Sequence, residues 1–174
     1  VMEIWKNINW KKLMKRLIIG VITLSIAFAQ TPEYLNNKID QMADQLERQV
    51  IEWRRDFHEN PELSNREFRT AEKVANHLRS LGIDVQTGVA HTGVVGLLKG
   101  GKPGKVVALR DEMDGLPVKE KVDLPFASKA KGVYHGDGVD VMHAYSHGNH
   151  NAGLMGAGEL LTSMKEYLRR THET

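Results

Sequence analysis

A chain of 174 residues with 41% hydrophobic and 26% charged residues is long enough for one domain and short for two. Its 16 glycines, 5 prolines and near balance of 24 basic against 22 acidic residues exclude collagenous, low-complexity and acidic-disordered classes. The absence of cysteine excludes a disulfide framework, a cysteine nucleophile and any thiolate metal site.

The basic character, a net charge of +2 and a pI near 8.8, sits at one end of the chain. Lys11, Lys12, Lys15 and Arg16 precede an apolar run from Leu17 to Ala29, which closes on Ala27-Phe28-Ala29, the small-x-small pattern of a signal peptidase site. The run has 13 residues where a bilayer span needs roughly 20. Residues 1–29 are therefore read as a signal peptide and the chain as exported, periplasmic or secreted, with no stable membrane anchor. An uncleaved anchor or a buried helix is the alternative. Residues 1–29 hold five basic residues and one acid, a net of +4; without them the total falls from +2 to −2. The basic pI belongs to the leader and gives no support for a nucleic-acid partner.

From residue 30 onward the elements follow in order. Thr31-Pro32-Glu33 opens a helix, with a capping hydroxyl, proline at the first helical position and an acid in the first turn. Leu35, Ile39, Met42, Leu46, Val50, Trp53 and Phe57 then form one apolar stripe, ended by Asn60-Pro61. Ser64 and Glu67 read as a capping box for a second helix closed by Gly82. Strands are expected at Ile83–Val89, Gly93–Leu98 and Lys105–Leu109, with Gly100–Gly104 as a turn. The last strand is apolar on both faces, like a central strand covered by helices. Residues 111–140 read as loop, and a final helix as about His150 to Arg170. Helices flanking a mixed sheet make this an α/β domain.

Two segments carry residues suited to chemistry. Arg110-Asp111-Glu112-Met113-Asp114 follows the expected central strand, where open α/β sheets place their sites. Its acids can hold a metal, orient a base or act as one, or simply face water. His143-Ala-Tyr145-Ser-His147-Gly-Asn-His150 gathers three imidazoles in eight residues, a metal-ligand pattern or a set of surface and structural histidines. Ser146 lacks the glycines of a nucleophile elbow, and no phosphate-loop pattern is present.

Arg54-Arg55-Asp56-Phe57-His58 followed by Asn60-Pro61-Glu62-Leu63-Ser64 resembles the opening of metal-dependent amidohydrolases of the aminoacylase and hippurate hydrolase type, which include the indole-acetyl-amino-acid hydrolases. The likeness continues through Thr70-Ala71-Glu72, Thr92-Gly93-Val94-Val95-Gly96, Val107-Ala108-Leu109-Arg110, Met113-Asp114, Leu116-Pro117-Val118, Gly132 and Val141-Met142-His143-Ala144, over residues 48–168. The resemblance implies the N-terminal part of a dinuclear-metal peptidase-like catalytic domain. It implies hydrolysis of N-acyl amino acids or peptide-like amides by two divalent ions, Mn or Zn. His147 is then a metal ligand, and Asp114 belongs to the catalytic framework, aligning a ligand or the base. Tyr145 stands where that family has a cysteine ligand, and Glu112, His143 and His150 are possible additional donors.

The departures from the family pattern cluster on the site. Asp111 replaces alanine, Glu112 aspartate, Gly115 alanine, Ser146 glycine, Gly148 aspartate and Asn149 alanine. Tyrosine, with a pKa of about 10, is a poor substitute for a thiolate ligand. The family's glutamate pair, later histidine ligands and lid or dimerisation domain, through which its members form homodimers, are not found in the sequence. The expectation is thus a signal peptide at 1–29 and a partial catalytic domain at 30–174, inactive alone. Its alternative is a non-catalytic relative with at most a weak histidine-based metal site.

Overall fold

The computed structural model describes residues 33–170; residues 1–32, with the expected leader and the expected helix opening at Thr31 and Pro32, and the last four residues lie outside the described residues. The elements are helix α1 (Glu33–Glu59), helix α2 (Phe68–Ser80), strands β1 (Asp84–Val89), β2 (Gly93–Leu97) and β3 (Lys102–Pro103), the hairpin strands β4 (Lys131–Tyr134) and β5 (Asp137–Asp140), helix α3 (His147–Ser163) and strand β6 (Arg169–Arg170). The chain divides into two compact units, Val1–Asp40 and Gln41–Thr174. Of the first, the described part is the opening of α1; the second holds every other element. No helix among the described residues is long and apolar enough to cross a membrane.

The three-and-four spacing on α1 marks its inward face in the second unit. Met42, Leu46, Val50 and Trp53 are half-buried and Phe57 is completely buried. Phe57, Ala152 and Met155 form the core, with Val50, Trp53 and Val74 packed against them. A Cβ on Gly156 would lie 3.0 Å from Val50 Cγ2, so the bare glycine lets α3 come close to α1. Asp56 clamps α1 to α2 through Arg69 at 2.7 Å and Lys73 at 2.6 Å.

Helix α2 ends as its sequence indicates. Gly82 adopts φ +73°, its N–H bonds Arg79 O, and the Ile83 N–H bonds Leu78 O, which together form a Schellman closure. The start differs from the expected Ser64–Glu67 box. Glu62 accepts from the backbone N–H groups of Arg69 and Thr70, at 3.0 and 2.8 Å, and so satisfies the orphan donors of the first turn. Glu67 turns instead to the Asn65 N–H and the Thr92 hydroxyl, which donates to it at 2.7 Å.

The strands form three two-stranded pairs: β1–β2 and β4–β5 antiparallel, β3–β6 parallel. Three expectations need correction. The stretch 105–109 belongs to no strand, and Val106, Val107 and Leu109 are 66%, 81% and 57% exposed. A strand apolar on both faces needs a neighbour along each edge, and no described strand pairs with this one. Within the expected 111–140 loop lies the β4–β5 hairpin, turned at His135 and Gly136, both at positive φ as a two-residue primed turn demands. Helix α3 begins at His147 and stops at Ser163, after which turns lead to β6. Gly148 and Asn149 disfavour helix interiors, but in a first turn few intrahelical bonds depend on them.

Candidate metal centre

The acidic segment after residue 109 is fixed by its backbone. The Gly115 N–H donates to Glu62 O at 2.6 Å, and Leu116 and Met142 exchange N–H···O bonds of 2.9 and 3.1 Å. A Cβ on Gly115 would lie 2.9 Å from Pro61 Cβ and 3.1 Å from Val141 Cγ1, so this close passage requires glycine. Buried Asn151 ties the segment to α3: its Nδ2 donates to Glu112 O at 2.8 Å and to His147 O at 3.1 Å. The first turn of α3 and the acids are thereby held face to face.

His147 points its Nδ1 at two oxygens of Asp114, the backbone carbonyl at 2.9 Å and Oδ1 at 3.3 Å. A carbonyl and an ionised carboxylate only accept, so in the neutral ring Nδ1 carries the hydrogen and Nε2 presents a lone pair. His143 lies buried next to this pair, and neither ring nitrogen meets a hydrogen-bond partner among the described residues. Burial, with the nearby His147 and His58, pushes its pKa down to about 4 against a weaker pull from Asp114, so it is neutral at pH 7. Tyr145 is 75% exposed.

Glu112 and His150 come together with Asp111, one of the three acids of the segment that follows residue 109. The Asp111 side chain is 6% exposed; Oδ1 accepts the Glu112 N–H at 2.7 Å, while buried Oδ2 has no hydrogen-bond partner among the described residues. Burial, joined by the like charge of Glu112, raises its pKa against the lowering pull of the Glu112 N–H, His150 and His147. His150 Nδ1 lies 3.7 Å from Asp111 Oδ1, and one donor atom each of Asp111, Glu112 and His150 falls within 4.8 Å of the others. His147 does not belong to that group.

A second pairing gave no sequence signal. His58 Nε2 and Glu120 Oε2 meet at 2.7 Å, both side chains largely buried, although 62 positions separate them. Burial raises the Glu120 carboxyl, but the Val122 N–H, His58 and the Lys121 N–H together hold it below its ordinary value. On the same face Arg54 donates to Asn149 Oδ1 at 2.7 Å, so Asn149 anchors the start of α3 to α1.

No protein-family model matches the chain. It is 46% identical over 135 residues to thermostable carboxypeptidase 2 of Saccharolobus solfataricus, covering 77% of this chain and 32% of that protein. It is 37% identical over 132 residues to the N-acyl-L-amino acid amidohydrolase of Geobacillus stearothermophilus, covering 76% of this chain and 34% of the relative. Among solved structures, the Bacillus subtilis YXEP protein, a dinuclear metal binding peptidase of the M20 family, superimposes with a TM-score of 0.64 at 34% identity, over 73% of this chain and 34% of that one. The chain spans about a third of the length of the curated relatives it matches. Over about three quarters of its length it is homologous to carboxypeptidases, N-acyl-amino-acid amidohydrolases and a hippurate hydrolase, and it carries part of the catalytic-domain fold of the M20 peptidase whose structure it matches.

Proposed function

We propose that this chain supplies one part of the active site of an exported amidohydrolase. The substrate class is a small N-acyl amino acid or peptide-like amide, and the cofactor a divalent ion, Mn2+ or Zn2+, two per site. The observation that carries this reading is His147 at the mouth of α3, its Nδ1 engaged by Asp114 and its Nε2 left as a ligand. The donor chemistry fits such an ion, since a neutral imidazole backed by a carboxylate is a preferred ligand for it.

A bound ion of this kind lowers the pKa of a coordinated water and polarises the amide carbonyl. Asp114 fixes the His147 tautomer and raises the basicity of Nε2. Asn151 keeps the acidic segment in register with the helix that carries His147. His143, neutral and buried, adds no charge next to the ligand. Tyr145 contributes little, because an exposed phenol is a weak ligand at neutral pH. The rest of the ligand set is proposed to come from regions that the longer relatives have beyond the matched third. Residues 1–29 serve as the export signal and residues from 30 onward as catalytic domain.

Tyr145 also favours a second reading, a non-catalytic relative, because it replaces a ligand rather than a spectator. A chimera decides between them. The matched third of the S. solfataricus carboxypeptidase is replaced by the corresponding residues of this chain and assayed on N-acyl amino acids with Mn2+ or Zn2+. Turnover that falls at least about a hundredfold in His147→Ala and Asp114→Ala supports the first reading. A folded chimera that stays inactive even with Tyr145→Cys supports the second. Turnover indifferent to both His147 and Asp114 would overturn the site assignment.

A further inference from the structure

We propose that Asp111, Glu112 and His150 form a cation site of their own, separate from the one that His147 faces. The key observation is Asp111. Its side chain is 94% buried, one oxygen accepts the Glu112 N–H, and the other lies buried with no hydrogen-bond partner among the described residues. An ionised carboxylate left so costs free energy that a fold does not normally bear unrelieved. The imidazole of His150 stands 3.7 Å from Oδ1, the oxygen that already accepts a bond, too far for a hydrogen bond, and the Glu112 carboxylate only adds like charge.

The distances suit shared coordination better than hydrogen bonding. At 3.7 Å, His150 Nδ1 and Asp111 Oδ1 are too far apart for a hydrogen bond. Two ligands of one tetrahedral ion with bonds of about 2.1 Å stand about 3.4 Å apart, and opposite ligands of an octahedral ion about 4.2 Å. The observed group, closed within 4.8 Å, reaches that range with small rotations of Glu112 and His150. Both can rotate: the side chains of His150 and Glu112 are 56% and 42% exposed, and Glu112 pairs with exposed Arg110 at 3.0 Å. The same exposure gives an ion a path in from solvent.

Charge points the same way. Two carboxylates and a neutral imidazole present a charge of −2, which a divalent ion balances, with water filling the remaining positions. Two oxygens and one nitrogen, with no thiolate, suit a first-row divalent ion, and zinc binds such a set more tightly than manganese. The site is also preorganised. Asn151 bonds the Glu112 carbonyl and the His147 carbonyl, holding the acid pair against the turn that carries His150. His147 stands outside this group of donor atoms, its Nδ1 turned to Asp114.

The test is calorimetric titration of the full chain with ZnCl2 and with MnCl2, alongside thermal unfolding with and without each salt. One ion is expected to bind, zinc more tightly than manganese. Asp111→Asn and His150→Ala each weaken binding at least about tenfold, while His147→Ala leaves it unchanged. Asp111→Ala removes the unrelieved buried charge, so its metal-free Tm is expected to rise above the parent's while the Tm gain from zinc disappears. These readouts report on Asp111, whereas turnover of the chimera reports on His147, so the two proposals fail separately. No binding by the parent chain, parental affinity in Asp111→Asn, or a loss in His147→Ala as large as in His150→Ala would each overturn the proposal.

Discussion

Replacing Asn151 tests how the acidic segment is held to the helix that faces it. Its amide makes two bonds, 2.8 Å to Glu112 O and 3.1 Å to His147 O, in a position only 4% exposed. Asn151→Ala removes both and leaves the Glu112 carbonyl without this donor. A typical hydrogen bond contributes about 0.5–1.5 kcal/mol net, and a buried group left unpaired costs about 1–3 kcal/mol. The second bond adds less, because a helical carbonyl is also served by its own ladder. The expected loss is about 2–3 kcal/mol, read as a lower urea midpoint by circular dichroism on the full chain. Asn151→Asp separates hydrogen bonding from packing. It keeps the volume but places acceptor against acceptor, so it is expected to lose at least as much as the alanine variant. Stability of Asn151→Asp equal to the parent's, or of Asn151→Ala within about 0.5 kcal/mol of it, would refute the claim that these bonds join the two halves.

Two further outcomes follow from the packing around the site. Burial raises the Asp56 carboxyl, but hydrogen bonds and charge from Arg69 and Lys73 outweigh it and hold the folded value below the ordinary 3.8. Its contribution is therefore fully present above pH 3.8 and is lost as pH falls through the lower folded value. Urea midpoints should drop on acidification in that window, and Asp56→Asn should flatten the drop; an unchanged slope would count against the clamp. Gly115→Ala forces a methyl to within 2.9 Å of Pro61 Cβ and 3.1 Å of Val141 Cγ1, and is expected to destabilise the chain by about 1–3 kcal/mol. A Tm equal to the parent's would show that this crossing has room.

Much of the helical framework was legible because its signals are local and periodic. The stripe through Val50, Trp53 and Phe57 marks the buried face, and Gly82 closes α2 where its freedom at positive φ is needed. What escaped were features decided by distant neighbours. The 105–109 run has the composition of a central strand, but composition cannot supply the edges it pairs with. Residues 131–140 carry three glycines and a His-Gly turn in place of the usual Asn-Gly, so their hairpin looked like loop. Glu62 could not be recognised as the cap of α2, since it reaches forward seven and eight residues instead of the three of a capping box.

The candidate site divided along the same line. Asp114 and His147 were singled out from the sequence, and the structure places them side by side. Tyr145, at an expected ligand position, is exposed on the loop before α3. Asp111 belongs to an acidic segment whose residue types suit either a metal site or a solvated loop, and only the fold shows that its side chain is buried. His58 and Glu120 lie 62 positions apart, so no spacing rule joins them.

The account rests most on His147 as an imidazole oriented by Asp114 with Nε2 free to bind. Nitrogen-15 NMR of the histidine rings in the full chain at neutral pH reads this arrangement directly. A neutral His147 with its hydrogen on Nδ1 and a bare Nε2, shifting toward the Nε2–H form in Asp114→Ala, is the expected result. A hydrogen on Nε2 in the parent chain would contradict it, because His147 would then have no lone pair facing the site.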